Sequence, residues 1–464
     1  MPADSKNKTE LRNLPSVDSI LQTDTAKLVE NKFGRDKTLN IVRTAIDRIR
    51  DVAASNGMQS KEAAIAEIER YLQRALSSES KHRIQRVINA TGIVIHTNLG
   101  RSPLSEAAVA SISAASSYCN LEYDLETGAR GRRGRQAEKL LAEITGAEEA
   151  LIVNNCAAAA LLVLSTLAKA GEVIVSRGEL VEIGGDFRIP DVLEQSGAKL
   201  KEIGTTNRTK LTDYERAISS ETKLILRVHP SNYRITGFTE TPELSDLAAL
   251  AHKHDLPLFE DAGSGMLVDL AEFGLGDEPL IRSSIDDGAD IVSFSGDKLM
   301  GGVQAGMIVG RKVLIQRLRK NPMYRALRVD KLAYAAIEAT LSLFAQGTAF
   351  DEIPVMRMLS ISDEDLKKRA VSFVEKASAA KSMKIEIIDG NSAIGGGAAP
   401  GVMLPTALIA IEHAKLSANE FASVLRSLEP PVITRLADDK LLIDLRTVAE
   451  SDEEILLKSI NDAA

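Results

Sequence analysis

Ile291-Val-Ser-Phe-Ser-Gly-Asp297-Lys298-Leu-Met-Gly-Gly302 decides how this chain is read. An apolar run of strand character leads into Ser, Gly, Asp and Lys, and then into paired glycines. In an open α/β sheet, a strand ending this way delivers its last side chains to the crevice where such sheets bind ligands. A lysine placed there can lose its proton through desolvation and form a Schiff base with an aldehyde cofactor. Gly301 and Gly302 let the backbone approach such a ligand closely. Taken alone, the Ser-x-x-Lys spacing also fits a solvated turn.

A second apolar run, Leu256-Pro-Leu-Phe-Glu-Asp261-Ala-Gly-Ser-Gly265, ends in a carboxylate and small residues, with Asp261 standing 37 residues before Lys298. Pyridoxal phosphate enzymes need this pair: the lysine holds the aldehyde, and a carboxylate keeps the pyridine nitrogen protonated so that the ring accepts electrons. The other reading of Asp261 is a cap on a following helix. Leu151-Ile-Val-Asn154-Asn155-Cys156-Ala157-Ala-Ala turns from a strand into an alanine-rich helix. The first N–H groups of that helix, at Asn155 and Cys156, suit a phosphate; small residues there also suit close helix–sheet packing. Ser293 or Ser295 can supply a hydroxyl. His229, ending the run Leu224–Val228, is a candidate to stack on the cofactor ring or a buried structural histidine.

These segments sit in a regular alternation. Strand candidates at Ala150–Asn154, Val173–Ser176, Leu200–Ile203, Leu224–Val228, Leu256–Glu260, Ile291–Ser295 and Gly306–Gly310 are spaced by helical patterns at Gln136–Thr145, Cys156–Leu167, Asp213–Ile218 and Pro242–His254. Strands spaced by helices predict βαβ units and a mostly parallel central sheet, an α/β fold. Ahead of it, Leu39, Val42, Ile46, Ile49 and Ala53 follow a helical period, Gly57 stops that helix, and Lys61–Leu76 resumes the pattern. A helical passage at Val329–Leu343 precedes a smaller α/β part. Its strand candidates are Lys384–Ile388, Gly401–Leu404, Leu408–Ile411, Pro431–Arg435 and Leu441–Leu445, with helices at Ser417–Leu428 and Asp452–Ile460. The expected division is therefore a helical domain over 1–80, a large domain over 81–345 and a small α/β domain over 346–464.

Composition narrows the classes. With 464 residues, 44% hydrophobic and 26% charged, the chain is a globular protein of several domains. No apolar run nears the ~20 residues of a membrane span, and the first residues lack a secretory core, so an intracellular, soluble protein is expected. Two cysteines, Cys119 and Cys156, fit a reducing compartment. His252 and His254 fall on different helix faces, so no metal site is expected. A net charge of −8 excludes a globally basic nucleic-acid binder, although a local basic surface remains open.

Arginines gather in three places: Arg83 and Arg86 before the polar run Asn89–Arg101; Arg130, Arg132, Arg133 and Arg135 in a glycine-interrupted loop; and Arg325 with Arg328, one helical turn apart on one face. Each cluster is either a solvated surface or a phosphate-binding one. Gly395-Gly-Gly397 matches neither phosphate-loop fingerprint and reads as a plain loop.

Arg86-Val-Ile-Asn-Ala-Thr-Gly-Ile-Val-Ile-His-Thr-Asn-Leu-Gly-Arg101, Asn120-Leu-Glu-Tyr-Asp-Leu125, Val153-Asn-Asn-Cys-Ala-Ala158 and Ser295-Gly-Asp-Lys-Leu-Met-Gly-Gly302 together resemble the bacterial selenocysteine synthases, L-seryl-tRNA(Sec) selenium transferases. The likeness runs from Leu14 to Arg446. It departs at Val303, often proline in the family, and at Cys156, often asparagine. The resemblance implies a pyridoxal-phosphate-dependent transferase fold (fold type I, that of aspartate aminotransferase), a cytoplasmic homodecamer, and an N-terminal domain that recognises the tRNA. It implies Lys298 as the Schiff-base lysine, Asp261 at the pyridine nitrogen and His229 on the ring. Asp297 would act beside the lysine, and Arg86, Arg325 and Arg328 would line an anion site for selenophosphate. The implied reaction turns seryl-tRNA(Sec) into selenocysteinyl-tRNA(Sec) by β-elimination of water and addition of selenium. The competing readings are a pyridoxal-phosphate lyase of a small amino acid or amino-sugar acid, and a tRNA-binding scaffold with an inactive core.

Overall fold

A computed structural model describes residues 15–56, 61–81, 84–184, 188–377 and 382–463; the helix stop expected at Gly57 and the arginine expected at Arg83 lie outside them. The chain forms two compact units, Met1–Arg86 and Val87–Ala464.

The first unit holds helices Val17–Leu21, Asp24–Phe33, Arg35–Asn56 and Lys61–Lys81. Ser16 and Thr23 cap the first two, their hydroxyls accepting from the N–H groups of Ser19 and Ala26. Gly34, at φ +79°, separates the second helix from the third, so the helix anticipated from Leu39 already begins at Arg35. Ile20, Val29, Val42, Ile46, Ile68 and Leu72 interlock as its core.

Among the described residues the second unit carries thirteen strands: β1 (Ile88–Ala90), β2 (Ile93–Ile95), β3 (Glu149–Val153), β4 (Glu172–Ser176), β5 (Lys199–Ile203), β6 (Thr222–Val228), β7 (Leu258–Gly263), β8 (Ile291–Ser295), β9 (Gly306–Gly310), β10 (Met383–Gly395), β11 (Met403–His413), β12 (Val432–Ala437) and β13 (Lys440–Asp444). Seven form a sheet in the order β3-β9-β8-β7-β6-β4-β5. Its pairings from β5 to β8 are parallel, and β9 alone runs against its neighbours β8 and β3. The sheet is therefore mostly parallel, as the alternation of strands and helices predicts. The middle strands β7 and β8 are buried along almost their whole length because helices cover both faces. One face packs under Cys156–Leu167, Ile189–Ser196 and Lys312–Lys320, the other under Arg135–Thr145 and Lys331–Gln346. At the edge, β5 reads Lys-Leu-Lys-Glu-Ile and keeps its charges outward, which discourages pairing with another chain. Since β3, β6, β7 and β8 run the same way, their C-terminal ends open on one side, where α/β sheets bind ligands.

The second sheet has the order β1-β12-β13-β11-β10-β2. Its outer strands, β1 and β2, are separated by only Thr91 and Gly92 and come from ahead of the large sheet, so the stretch expected as a polar run contributes both edges. Asp444, buried at the end of β13, accepts from Ser392 Oγ at 2.7 Å and Thr406 Oγ1 at 3.0 Å. Arg446 donates to Ser392 Oγ and to the carbonyls of Met358, Ile361 and Pro405. The expected strands Gly401–Leu404 and Leu408–Ile411 are one strand, β11, and the expected Lys384–Ile388 is the start of the thirteen-residue β10. Pro405 lies outside Leu408–Ile411, the stretch that pairs with β13, so its missing N–H is tolerated there. Among the described residues no helix is long and apolar enough to cross a membrane.

Candidate active site

Lys298 follows β8 through a turn and is 7% exposed. Its Nζ donates to the carbonyl of Gly397 at 3.1 Å. The triple-glycine loop, read from sequence as without a role, is thus the lysine's neighbour. Gly395, Gly396 and Gly397 all take left-handed φ values, +77°, +65° and +69°, which glycine adopts without a Cβ clash.

Asp261 lies within β7, in register with Val228 of β6 and Ser293 of β8. No helix follows it directly, which removes the capping reading. Its Oδ1 accepts from Ser293 Oγ at 3.0 Å and from Cys156 Sγ at 3.2 Å. The Ser293 hydroxyl is thus taken up by Asp261, while Ser295, also buried, ends the strand. Burial raises Asp261 above the usual carboxylate range, against the hydrogen bonds from Cys156 and Ser293 and the charge of Lys298. Burial, and then the charge of Asp261, push the Cys156 thiol well up, so Cys156 is a neutral donor to that carboxylate.

Asn155 stands at the junction of β3 and the helix Cys156–Leu167. Its side chain caps that helix by accepting from Ala158 N at 2.8 Å, and its carbonyl takes Ala159 N. The N–H groups of Cys156 and Ala157 precede those with partners inside the helix, and they face the crevice with the positive end of the dipole. Gly306 of β9 is required here, since a Cβ on it would lie 2.1 Å from the Asn155 carbonyl oxygen. His229 directly follows β6; its backbone N–H donates to the Asp261 carbonyl at 2.9 Å, and its ring Nε2 meets Glu278 Oε1 at 3.3 Å.

Asp297 is bound by an arginine, but that arginine is Arg101, at 2.6 Å. Ser102 Oγ lies 2.8 Å from the carbonyl of Asp297 and 2.7 Å from that of Lys298, latching the turn that presents the lysine. Arg101 has φ +60°, a left-handed backbone that costs a non-glycine residue about 1 kcal/mol or more and gathers at functional sites. Arg86, exposed, is the last residue of the first unit. Arg325 is exposed on the short helix Pro322–Leu327. That helix ends before Arg328, which is extended (ψ +140°) because the chain must reach Asp330, the cap of Lys331–Gln346. The two arginines therefore do not share one helical face. The Leu327 carbonyl accepts from Asn154 N at 2.9 Å and so keeps Arg328 beside the β3–helix turn. In the glycine-interrupted loop, Arg130 and Arg133 pair with Glu122, and Arg132 with Glu138 and Glu149, so intramolecular carboxylates claim these three.

Sequence reasoning missed Arg101, Ser102, Glu278 and the Gly397 carbonyl. Arg101 closes the polar run Asn89–Arg101 and Ser102 follows it; Gly100 beside them was the available signal.

A buried lysine at one strand end, a buried carboxylate on the next strand and a capped helix N-terminus around one crevice define the class: this is the pyridoxal-phosphate-dependent transferase fold. A solved D-glucosaminate-6-phosphate ammonia-lyase shares it, with a TM-score of 0.57 and 20% identity over 84% of this chain and 97% of that one, a likeness that shows the fold alone. The family described as L-seryl-tRNA selenium transferase matches residues 87–449, and the one described as Selenocysteine synthase N terminal matches residues 11–50. Curated L-seryl-tRNA(Sec) selenium transferases of Geobacter sulfurreducens and Aquifex aeolicus are each 44% identical over 98% of this chain and 100% and 99% of their own lengths. That of Desulfovibrio desulfuricans is 49% identical over 82% of each. The chain belongs to the L-seryl-tRNA(Sec) selenium transferase family.

Proposed function

We propose that this enzyme converts seryl-tRNA(Sec) to selenocysteinyl-tRNA(Sec) with pyridoxal phosphate as cofactor and selenophosphate as selenium donor. The observation that carries the reading is the pairing of Lys298 with Asp261 in one crevice, in a chain that matches the family from end to end. The residues fit the cofactor. Asp261, raised by burial, needs a cationic partner such as a pyridinium nitrogen, and the Cys156 and Ala157 N–H groups offer an anion cradle. When bound, pyridoxal phosphate supplies an electron sink for the serine α-carbon.

Lys298 takes up the α-proton, its amine oriented by the Gly397 carbonyl. Asp261, oriented by Cys156 and Ser293, would hold the pyridine nitrogen, and His229 would stack on the ring. Lys298 passes that proton to the departing serine β-hydroxyl, which leaves as water. The selenium of the donor then bonds to the same carbon, the donor's own proton goes to the α-carbon, and water cleaves the Se–P bond to release phosphate. Asp297, held by Arg101, fixes the turn beside the lysine. Arg325, Arg328 and Arg86 neutralise the selenophosphate. Helices of the N-terminal unit recognise the tRNA; exposed Lys27, Arg43, Arg48 and Arg50 support that role. The enzyme works in the cytoplasm as a homo-oligomer, a decamer by family resemblance. Exposed Tyr118, Tyr123 and Leu125 are apolar surface for a second copy to cover.

The test is turnover of purified protein with selenophosphate and seryl-tRNA(Sec), seryl-tRNA(Ser) running beside it. Selenocysteine recovered from the first tRNA alone is the expected result. Unchanged serine on both, from protein that binds pyridoxal phosphate, would overturn the substrate assignment.

A further inference from the structure

Glu278 lies outside every strand and takes no direct part in the chemistry above, yet it is 5% exposed and joins two parts of the site. Its Oε1 meets His229 Nε2 at 3.3 Å and accepts from Ala399 N at 2.6 Å. Ala399 closes the loop whose Gly397 carbonyl holds Lys298. That loop has little conformational preference of its own: three consecutive glycines are left-handed, and Ala399 itself is at φ +48°, an unfavourable value for a residue with a Cβ. Its shape must be imposed from its ends. At one end Gly395 pairs with Ile95 of β2, and at the other the tie is Glu278. Burial by itself would raise Glu278, but hydrogen bonds and charge from His229 and the Ala399 N–H hold it below the usual range, so it is an anion at this junction.

We infer that Glu278 is a positioning residue: it clamps the Gly395–Ala399 loop to the ring-facing His229 and through that loop sets the place of the Lys298 amine. The inference rests on reading Lys298 and His229 as cofactor contacts. The charged and titratable groups facing these two are Asp261 and Cys156 at Lys298, and Glu278, Glu260 and Asp261 at His229.

The experiment uses the full-length protein, wild type, Glu278→Ala and Glu278→Gln, with pyridoxal phosphate as the probe. Amide exchange over residues 395–400 is measured without cofactor, and the pH midpoint of the visible band and kcat are measured with it. In Glu278→Ala the loop should exchange about tenfold faster or more, since a charge-assisted hydrogen bond is lost. Its midpoint should move by roughly half a unit or more, and kcat should fall by up to roughly 100-fold. Glu278→Gln keeps an acceptor for Ala399 but loses the charge at His229, so its exchange should stay near wild type while its midpoint moves. Wild-type exchange in Glu278→Ala, or a wild-type midpoint in Glu278→Gln, overturns the clamp; if the alanine variant fails to fold, the glutamine variant decides. A wild-type protein showing no visible band with pyridoxal phosphate would instead overturn the reading of the site.

Discussion

Lys298 and Glu179 show two uses of burial. Replacing Lys298 by alanine removes the amine held at the Gly397 carbonyl. Turnover should fall by at least roughly 10⁴-fold, the upper range for an acid–base group, while the melting temperature stays within a few degrees; sustained activity in Lys298→Ala would sink its assignment. Glu179 follows β4 and accepts from Arg227 at 3.2 Å and from Val228 N at 3.0 Å, yet burial pushes it up from 4.5 to about 7. Between those values the fold retains a proton that the unfolded chain has released, so stability falls as pH rises across the window. At about 1.4 kcal/mol per unit the loss is at most roughly 3–4 kcal/mol. Urea unfolding from about pH 4.5 to 7.5 should show that decline and should flatten in Glu179→Gln; equal slopes would mean that Arg227 keeps Glu179 ionised throughout. At this scale the sequence was legible where a side chain ends an apolar run. Lys298, Asp261 and His229 each close one, and the structure brings them to one crevice. Arg101, Ser102 and Glu278 were illegible because loops carry no period, and their partners lie about 120 to 200 residues away in the chain.

At the scale of elements, the most exacting contact joins β9 to the helix that starts at Cys156. Gly306→Ala drives a Cβ against the Asn155 carbonyl, backbone against backbone, with no flexible side chain to give way. It should cost roughly 1–3 kcal/mol of stability and weaken pyridoxal phosphate binding together, because the displaced carbonyl belongs to the turn that caps the phosphate cradle. A variant equally stable but weaker in binding would separate the two effects and count against a steric cause. Strand positions in the large sheet were readable because its buried strands are short, mostly apolar runs: Ile291–Ser295, parallel to β7, and Gly306–Gly310, antiparallel to β8, both occur as expected. Three-residue strands such as β1 and β2 are too short to show alternation. β11 was expected as two strands because the pairing with β10 that runs on through Pro405–Ala407 cannot be seen locally.

For the whole molecule, a charge of −8 and tRNA binding are compatible only if the basic side chains are gathered locally. Affinity for seryl-tRNA(Sec) should then fall by roughly 10-fold or more between about 50 and 200 mM salt. Titrations showing no salt dependence would remove phosphate contacts from the account. Lys27, Arg35 and Arg50 of the N-terminal unit each have a carboxylate partner nearby, so an incoming phosphate must compete with Asp24, Glu30 and Asp47.

The placement of β1 and β2 bears on how the chain is made. Ile88 finds its partner Val432 about 340 residues later. At about 5–20 residues per second of synthesis, the two short strands leave the ribosome roughly 20 s to a minute before the strands they border exist. The large sheet, complete by Gly310, can assemble in the meantime, whereas the smaller one closes only when translation is nearly over. Both of its edges are thus laid down early and its middle late, so a chain truncated before Met383 keeps two strands with nothing to border.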